Sequence, residues 1–421
     1  MHCIVVGAGL LGLTSAWFLR QGGIEVTVVE QAPGPGLGTS FANGGMLHAS
    51  QAGPWNEPGV LWQALRMLGR EDSALLIRPR ALPRMLPWAW QFLRQSKPVH
   101  YHANVARNAR LAAYSLRVLH EAFAELALSF EQASQGTMKI YRTQAELDAA
   151  ATAALRCREW GVRYDVLDAA GVAALEPALG DIADQLSGGV HFPDDVSGDA
   201  HMFCRELADA CRDAGVRFEY ESRATRVVLQ HGRVHGVEVD GEMLPAEHCL
   251  LAAGAHSAAL TRPLGLRLPV QPVKGYSLTL PLHGWPLAPR TPVIDEHFHA
   301  AVCPLGARLR VAGTAEFTGF DECLTPSRIE NLYTLVKRVY PAGAERIARR
   351  EVVEWAGFRP MSPDGVGIMG PTRIPGLHLN TGHGHLGWTM ATGAGKLVAD
   401  ALVGRRADLA LDDYALARFR A

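Results

Sequence analysis

Near its start the chain reads Val5-Val6-Gly7-Ala8-Gly9-Leu10-Leu11-Gly12, where three glycines follow a short apolar run. Residues Leu10 to Arg20 have helical composition, Gly22-Gly23 ends that segment, and a second apolar run extends from Glu25 to Glu30. This order predicts strand, glycine turn, helix and strand, which is the βαβ unit of a dinucleotide-binding domain. We therefore expect an α/β fold built outward from this turn.

Each glycine of the turn has a separate physical role. Gly7 allows a tight turn, Gly9 lets a pyrophosphate approach the backbone, and Gly12 lets the helix pack closely on the strand. The helix start adds unpaired N–H groups and a positive dipole end. Glu30, about 20 residues further on, is placed to accept hydrogen bonds from a ribose and to repel a 2′-phosphate. The pattern thus disfavours NADP and leaves NAD or FAD.

Composition limits the other function classes. The 421 residues suffice for two or three domains, and 48% of them are hydrophobic, as expected of a globular protein. The 41 Lys and Arg residues nearly balance the 42 Asp and Glu residues, so there is no basic excess for binding nucleic acid. The seven cysteines show no zinc spacing, and the acidic pairs are too isolated for a metal site. We expect reduced thiols, a cytoplasmic location and no metal.

The segment 60–98 combines many arginines with Trp62, Trp88 and Trp90. Such a composition is typical of a surface that lies in an anionic membrane interface. It is equally typical of helices that pack on the body of the protein and leave an arginine face in solvent. No stretch reaches the ~18 apolar residues of a membrane span. Peripheral membrane contact and simple packing therefore both stay open as interpretations.

A second glycine cluster lies near the carboxyl end, where Asn380-Thr381-Gly382-His383-Gly384-His385-Leu386-Gly387-Trp388-Thr389 leads into an apolar helix ending near Leu402. A glycine loop that opens a helix again presents N–H donors and a positive dipole end. One pyrophosphate needs only one such loop. A reduced flavin gathers negative charge at the N1 and C2 carbonyl edge of its ring, whereas reduced nicotinamide is neutral. Two helix starts in one chain therefore favour FAD over NAD.

Several motifs together resemble one known family. They are Val5 to Gly12, Thr39-Ser40-Phe41-Ala42-Asn43-Gly44-Gly45, Lys274-Gly275-Tyr276-Ser277-Leu278-Thr279, Gly357-Phe358-Arg359-Pro360-Met361-Ser362-Pro363-Asp364-Gly365 and Asn380 to Met390. On these motifs the chain resembles the FAD-dependent D-amino acid oxidase superfamily over nearly its whole length, and most closely the bacterial D-amino acid dehydrogenase catalytic subunits. The segment Ala42 to His48 departs from the expected Ala-Asn-Ala-Gly pattern, which leaves open a different substrate at the same site.

The resemblance implies a particular domain organisation. A Rossmann-type FAD-binding domain of α/β class would be assembled from the discontinuous segments 1–55, 197–262 and 351–421. The segments 56–196 and 263–350 would form an α+β substrate domain. The mixed sheet of this second domain would cover a non-covalently bound flavin.

Patterning between the motifs predicts further elements. The turn signals His231-Gly232 and Asp240-Gly241 predict two hairpins between β-rich runs. Helical spacing predicts helices over Asn104 to Leu128, Gln144 to Trp160 and Pro326 to Tyr340.

Carried over residue by residue, the resemblance also implies FAD-contacting positions. The ADP half would be held by the first glycine turn with Glu30 and Gln31, and the adenine edge by the backbone at or beside Val227. The flavin would lie along the segments 39–46 and 382–389. The full set of expected FAD contacts is Gly7, Gly9, Leu10, Leu11, Gly12, Glu30, Gln31, Thr39, Ser40, Asn43, Gly44, Gly45, Met46, Val227, Gly254, Gly382, His383, Gly384, His385, Leu386, Gly387, Trp388 and Thr389.

Three residues are candidates on the substrate side. Arg359 would hold a substrate carboxylate, because a planar guanidinium donates two parallel hydrogen bonds and fixes the Cα–H toward flavin N5. Tyr276 would hydrogen-bond the carboxylate or cover the pocket, although an aromatic residue on a sheet face explains it equally well. His48 stays undecided between a catalytic role and a place near the flavin. Hydride transfer from a neutral amine needs no obligatory base, so His383 and His385 are interpreted as residues around the flavin.

The hypothesis from the sequence is an FAD-dependent D-amino acid dehydrogenase. Hydride would move from the substrate Cα to flavin N5, the imino acid would hydrolyse to a 2-oxo acid and ammonia, and electrons would pass to a quinone or another acceptor. Three alternatives stay open: an oxidoreductase acting on D-hydroxyproline, sarcosine or glycine, a non-catalytic flavin subunit of a larger complex, and an NAD-binding dehydrogenase. Oxidase rather than dehydrogenase behaviour, and a homo- or hetero-oligomer, also stay open.

Overall fold

A six-stranded, mainly parallel sheet forms the centre of one part of the computed structural model, which describes residues 1–67, 70–71, 73–298 and 300–419. Of its strands, only Ile368–Pro371 is antiparallel to its neighbour. The strands come from widely separated parts of the chain, which confirms the predicted Rossmann-type sheet built from discontinuous segments. In spatial order they are Ile368–Pro371, Leu377–Thr381, His248–Leu251, His2–Val6, Glu25–Val29 and Arg217–Glu219.

Both faces of this sheet are covered, as expected for strands that are apolar on both alternations. In the strand His2–Val6, Cys3 and Val5 belong to a core shared with helices, while Ile4 and Val6 belong to a core on the opposite face. The helices on the first face are Leu10–Gln21, Pro98–Ala122, Ala200–Asp213 and Gly387–Leu402.

The opposite face carries a three-stranded antiparallel sheet of Ala224–Gln230, Arg233–Val239 and Glu242–Pro245. Its two connections are the predicted hairpin turns at His231-Gly232 and Asp240-Gly241. All four of these turn residues have positive φ, which matches the right-handed twist of the paired strands. Both hairpin predictions are therefore confirmed.

A nine-stranded mixed sheet forms the other part of the structure. Helix Pro326–Val339, whose residues were predicted as helical, packs its apolar side on this sheet. In spatial order the strands are Val353–Met361, Gln271–Pro281, Arg308–Phe317, Ala300–Leu305, Val293–Asp295, Thr137–Tyr141, Gly188–Phe192 and Asp165–Asp168, with Leu75–Ile77 pairing beside Arg308–Phe317.

The strand Val353–Met361 hydrogen-bonds along Gln271–Pro281 within this sheet. The sequence predicts that residues 351–421 belong to the FAD-binding segments, but the strand Val353–Met361 at the start of that range belongs to the nine-stranded sheet. The pairing explains it, because strand neighbours are set by long-range register and not by the motif that the strand carries. The division of the chain into two domains otherwise stays a prediction, and residues 420 and 421 of its last segment lie outside the described residues.

Two helices differ in extent from their prediction. The helix expected over Asn104 to Leu128 is Pro98–Ala122, because Pro98 occupies the first turn, where its missing N–H costs nothing. The helix expected over Gln144 to Trp160 is α-helical only over Gln144–Ala154 and continues as 3-10 turns to Trp160. The other helices are Val60–Met67, Leu82–Gln95, Ala169–Leu175, Ser257–Thr261 and Pro341–Ala344, and a two-stranded ladder joins Met46–Leu47 to Val196–Ser197.

Within the residues that the structure describes, no helix combines the length and the apolar character that crossing a bilayer requires.

Candidate active site

A cavity of about 1930 Å³ opens at the carboxyl ends of the parallel strands and extends to the nine-stranded sheet. Val6, Val29 and Ala252 line it from the first sheet, and Gly275 and Arg359 line it from the second. Ligands of open α/β sheets bind at the carboxyl ends of the strands. The cavity therefore lies where the fold predicts a nucleotide, and it also reaches residues of the nine-stranded sheet.

The first glycine turn has the geometry that its motif predicts. Gly7 has a φ of +108°, and a Cβ atom on it would lie 2.8 Å from the carbonyl oxygen of Ala252. A Cβ atom on Gly12 would lie 1.9 Å from the carbonyl oxygen of Gly7, so only glycine lets the helix pack on the turn. The helix starts at Leu10 without a side-chain cap on Gly9, which leaves N–H donors of the first turn for a ligand.

Glu30 is fixed at the edge of the cavity by two backbone donors. Its Oε2 accepts a hydrogen bond from the N–H of Ala8 at 2.7 Å, and its Oε1 accepts one from the N–H of Ala32 at 2.9 Å. Each carboxylate oxygen has a further lone pair, so the group can accept ribose hydroxyls without giving up these bonds. Gln31 lines the cavity beside it.

Val227 lies apart from the cavity. Its side chain is 2% exposed and packs in the apolar core beneath the three-stranded sheet. The cavity wall near this strand is formed instead by residues 222–225. The structure thus brings the neighbours of Val227 to the cavity, and a contact of this strand with adenine stays a prediction.

The segment 39–46 runs along the cavity and is held by polar contacts. The Thr39 hydroxyl donates to the carbonyl oxygen of Phe358 at 2.7 Å, and Asn43 Oδ1 accepts from the N–H of Gly45 at 3.0 Å. Arg310, which the sequence analysis did not single out, donates from Nη1 to the carbonyl oxygen of Asn43 at 2.8 Å. These three hydrogen bonds fix the backbone of the segment 39–46 along the cavity, whereas the sequence motif predicted only that the segment lies near the flavin.

The second glycine loop brings another helix start to the same cavity. Helix Gly387–Leu402 begins without a side-chain cap, directly after a 3-10 turn. A Cβ atom on Gly387 would lie 4.0 Å from Cδ2 of Leu11, so the two helix starts adjoin. Two positive dipole ends therefore face one cavity, as the argument for FAD requires.

Most of the expected FAD contacts line the cavity, and a few lie behind its wall. Leu386 is buried in the apolar core, Gly12 packs on Gly7, and Thr389 accepts a hydrogen bond from the N–H of His48 at 3.1 Å. Those that line it are Gly7, Gly9, Leu10, Leu11, Glu30, Gln31, Thr39, Ser40, Asn43, Gly44, Gly45, Met46, Gly254, His383, Gly384, His385, Gly387 and Trp388, whereas Gly12, Val227, Gly382, Leu386 and Thr389 do not.

Arg359 places a positive charge in the cavity wall that no carboxylate neutralises among the described residues. Burial lowers the pKa of its guanidinium to about 10, so the group is charged at neutral pH. Its Nη1 donates to the carbonyl oxygen of Thr314 at 3.0 Å, and its Cζ lies 5.5 Å from the ring centre of Trp55. Because an unpaired buried charge is costly, this arrangement indicates a binding site for an anion.

Tyr276 directs its hydroxyl away from that guanidinium. The hydroxyl donates to the carboxylate of Glu316 and lies 2.9 Å from Thr325 Oγ1. The ring packs in the core under the nine-stranded sheet, although the residue also contributes to the cavity wall. The structure therefore accounts for Tyr276 as a packing residue, and a contact with substrate stays a prediction.

Three histidines around the cavity are neutral at physiological pH. Burial lowers the pKa of His48 to about 4 and the pKa values of His383 and His385 to about 3. The His385 ring stacks on Trp55, with 5.4 Å between the ring centres. These neutral rings add no further positive charge beside Arg359, and the catalytic role of His48 stays a prediction.

Thr314 is a site residue that sequence reasoning missed. It has a φ of +55° although it is β-branched, and it lies in a bulge where the register between two paired strands shifts. Its hydroxyl is buried without a hydrogen-bond partner. Such strain accumulates at functional sites. Nothing in the sequence signals this conformation, because the bulge arises from strand pairing.

The described residues contain no cluster of His, Cys, Asp and Glu side chains that could hold a metal ion, and all seven cysteines are free. Two adjoining uncapped helix starts and a fixed carboxylate fit the pyrophosphate, flavin and ribose of a flavin dinucleotide. With the Arg359 guanidinium in the opposite wall of the cavity, the arrangement fits a flavin-dependent oxidoreductase.

Comparison with known families agrees with this class. Residues 2–401 match the model of the family described as DAO, FAD dependent oxidoreductase, and the chain therefore belongs to this family. A D-amino acid dehydrogenase from Methylobacterium radiotolerans is 42% identical over 422 residues, which cover 100% of both chains. A D-amino acid dehydrogenase from Methylobacterium nodulans is 42% identical over 420 residues, which cover 100% of this chain and 99% of its relative.

Solved structures share the fold at lower identity. Glycine oxidase from Geobacillus kaustophilus has a TM-score of 0.77 and 22% identity, covering 99% of this chain and 98% of its own. L-proline dehydrogenase from P. horikoshii also has a TM-score of 0.77, with 16% identity, covering 100% of this chain and 97% of its own. The protein is thus an FAD-dependent oxidoreductase of mixed α/β fold.

Proposed function

We propose that this FAD-dependent oxidoreductase is a D-amino acid dehydrogenase that converts D-amino acids to 2-oxo acids and ammonia. The observation that carries the proposal is the unpaired guanidinium of Arg359 in the wall of the cavity. The names of the relatives at 42% identity over the full length support the choice of D-amino acids as substrates.

FAD would be held without a covalent bond by the two helix starts and by Glu30. The helix beginning at Leu10 would bind the pyrophosphate, and the helix beginning at Gly387 would face the negative edge of the reduced ring. Once bound, FAD supplies a two-electron acceptor for the hydride that leaves the substrate Cα. A flavin that stays with the denatured polypeptide would contradict non-covalent attachment.

Arg359 would bind the substrate carboxylate through its fork of N–H donors. Its Nη1 already donates to Thr314, and this bond together with Trp55 fixes the plane of the guanidinium. A fixed carboxylate restricts the orientation of Cα, which is the main requirement for hydride transfer. The substrate loses a hydride and a proton, and water then converts the imine to a 2-oxo acid and ammonia.

The electrons would pass to a quinone, which takes up two electrons and two protons and becomes a quinol, or to another acceptor. Peripheral membrane contact is the corresponding expectation for the segment 60–98. A cytoplasmic location, dehydrogenase rather than oxidase behaviour, and any homo- or hetero-oligomeric state stay predictions.

An anaerobic substrate panel tests the proposal. The purified protein is mixed with D-alanine, L-alanine, D-proline, cis-4-hydroxy-D-proline, sarcosine and glycine, and the flavin absorbance near 450 nm is followed. Rapid bleaching by primary D-amino acids is expected. Faster bleaching by L-alanine, or by the secondary amines, would replace the substrate assignment. Bleaching by no amine would leave a non-catalytic flavin subunit, and a colourless protein that cannot be reconstituted with FAD would remove the proposal.

A further inference from the structure

One part of the cavity wall is built from large apolar side chains. They belong to a single apolar cluster and also line the cavity. Four elements supply them: the loop before helix Val60–Met67, the strand Leu75–Ile77, the helix Leu82–Gln95 and the strand Arg308–Phe317. We call this part of the wall the apolar lobe, and its six large residues are Trp55, Ile77, Met85, Trp88, Phe92 and Phe317.

Ring contacts fix the shape of the apolar lobe. The ring centre of Trp88 lies 5.0 Å from that of Phe92 and 5.7 Å from that of Phe317. The indole Nε1 of Trp88 donates to the carbonyl oxygen of Met361 at 2.9 Å. The N–H of Trp88 is therefore already bonded to the sheet, and its ring offers carbon atoms to the cavity.

The apolar lobe adjoins the guanidinium of Arg359. Trp55 belongs to both, because its ring centre lies 5.5 Å from Cζ of Arg359. Val273, directly opposite Arg359 in the paired strands, packs in the same cluster as the lobe. Arg359 donates to the carbonyl oxygen of Thr314, and the next residue, Ala315, belongs to that cluster and lines the cavity. A molecule whose carboxylate is bound by Arg359 therefore lies next to the lobe.

Charged side chains line a different part of the same cavity. There Lys139 Nζ pairs with Glu296 at 2.5 Å. Lys139 lies on the strand Thr137–Tyr141, which is the third strand beyond Arg308–Phe317 in the order of the sheet. At the usual spacing of strands this separation is about 14 Å. A side chain that extends from Arg359 into the apolar lobe is therefore remote from this ion pair.

We propose that the apolar lobe is the subsite for the substrate side chain, and that it selects D-amino acids with large apolar side chains over D-alanine and over polar side chains of the same shape. Burial of aliphatic surface favours binding in proportion to the area removed from water. An amide group in an apolar site loses its hydration and finds no hydrogen-bond partner. Only the substrate class rests on the proposed function, because an apolar subsite beside a carboxylate site can be measured without turnover.

Two carboxylates of the same shape test the subsite. The first, 4-methylpentanoate, has the skeleton of leucine, and the second, succinamate, has that of asparagine. Both lack the amino group and are therefore not oxidised. Their binding to the FAD-loaded protein is followed by the flavin absorbance spectrum. We expect Kd for 4-methylpentanoate to be at least about tenfold lower than Kd for succinamate and for propionate, which has the skeleton of alanine.

Two substitutions in the lobe should reduce this preference. Ala89 is half-buried on helix Leu82–Gln95 and lines the cavity within the same cluster, so Ala89→Phe should fill the lobe. The preference for 4-methylpentanoate over propionate should then fall at least about fivefold. Ile77→Thr places a hydroxyl in the wall and should lower the preference over succinamate at least about threefold.

The matched control is Ala106→Phe. Ala106 is also half-buried on a helix, Pro98–Ala122, and lines the cavity outside the apolar lobe. Both ratios of Kd should stay as in the wild type. Equal affinities of the wild type for 4-methylpentanoate and succinamate, or the same loss of preference in Ala106→Phe as in Ala89→Phe, would overturn the proposal.

Turnover then tests the substrate class. We expect kcat/KM for D-leucine to exceed the values for D-asparagine and D-alanine at least about tenfold. Turnover of all three at similar kcat/KM would overturn the assignment of the lobe to the substrate side chain. If no D-amino acid bleaches the flavin while the two carboxylates still differ in Kd, the substrate class falls with the proposed function and the apolar subsite stands.

Discussion

A Cβ atom added to Gly275 would lie 2.0 Å from Nη1 of Arg359. The two residues are on the paired strands Gln271–Pro281 and Val353–Met361, and the missing side chain of the glycine gives the guanidinium its space. The direction of Arg359 into the cavity therefore depends on a residue of the neighbouring strand. This dependence links Gly275, which had no assigned role in the motif Lys274-Gly275-Tyr276, to the proposed substrate binding by Arg359.

Substitution Gly275→Ala should displace the guanidinium without removing its charge. We expect KM for D-alanine to rise at least about tenfold, because that factor corresponds to about 1.4 kcal/mol of lost carboxylate binding. Arg359→Lys should have a similar or larger effect, since lysine lacks the planar fork. Both variants should keep FAD. Steady-state kinetics and the flavin absorbance of the purified proteins measure these outcomes.

The control for this substitution is Gly180→Ala. A Cβ atom at Gly180 meets no atom within 4 Å, and its φ is not positive. Its KM should equal that of the wild type. An unchanged KM in Gly275→Ala, with Arg359→Lys impaired, would show that the guanidinium has room to move aside and still bind substrate.

The two glycines Gly9 and Gly12 should respond differently to alanine. A Cβ atom on Gly9 comes no closer than 3.4 Å to Ser40 Oγ, whereas one on Gly12 comes within 1.9 Å of the carbonyl oxygen of Gly7. Gly12→Ala should therefore lower the unfolding free energy of the FAD-free protein by about 1–3 kcal/mol or more, as is typical of overpacking. Gly9→Ala should leave that stability nearly unchanged and weaken FAD binding at the pyrophosphate.

Denaturant unfolding of the FAD-free proteins and fluorescence titration with FAD separate the two effects. A Gly9→Ala protein that is less stable than Gly12→Ala, or a Gly12→Ala protein that folds like the wild type and binds FAD equally well, would contradict these separate roles of the two glycines.

The sequence predicted the first glycine turn, Glu30 and the second helix start because each depends on local backbone geometry. Gly7 and Gly12 need their residue type for contacts within one βαβ unit, and such contacts leave a pattern in sequence. The contacts around Arg359 leave no such local pattern and could not be predicted from the sequence. Thr314 and Trp55 reach the guanidinium through the bulge and the packing of distant segments. Alternation along its strand turns the Val227 side chain into the core, and the contact of its backbone, or of its neighbour's, with adenine stays a prediction.

Relief of backbone strain at Thr314 should stabilise the protein. A β-branched residue with a φ of +55° costs about 1–3 kcal/mol, and the buried hydroxyl lacks a partner. Thr314→Gly removes both costs, but glycine gives the unfolded chain more entropy, which lowers the stability by about 0.5–1 kcal/mol. We therefore expect a net increase of about 1 kcal/mol in the unfolding free energy. The control Thr225→Gly should lower the unfolding free energy, because Thr225 is a strand residue whose φ is not positive.

Thermal and denaturant unfolding of the Thr314 variants decide this point. A less stable Thr314→Gly protein would mean that the bulge holds its shape through the threonine side chain, and that the conformation is not strained.

The two neighbouring carboxyl groups Asp194 and Asp195 should give stability opposite dependences on pH. Asp195 is buried and accepts hydrogen bonds from the hydroxyls of Ser50 and Thr137, each at 2.5 Å, and its burial raises its pKa to about 6. The pKa of Asp195 is thus higher in the folded protein than in the unfolded chain, where it is near 4. The protonated carboxyl therefore stabilises the fold below pH 4, and this stabilisation is lost as the pH rises through 6. Asp194, paired with Arg163, has a lowered pKa, so its contribution is present above the unfolded value and is lost on acidification.

The unfolding free energy of Asp195→Asn, relative to that of the wild type, should therefore increase by about 2 kcal/mol between pH 4 and pH 7. For Asp194→Asn the change should have the opposite sign and should fall mainly below pH 4, because that substitution loses an ion pair formed only when the carboxyl is charged. Urea unfolding at half-unit pH steps measures both curves. A difference for Asp195→Asn that is constant from pH 4 to pH 7 would contradict a raised pKa, and would mean that the Ser50 and Thr137 hydroxyls compensate the buried charge fully.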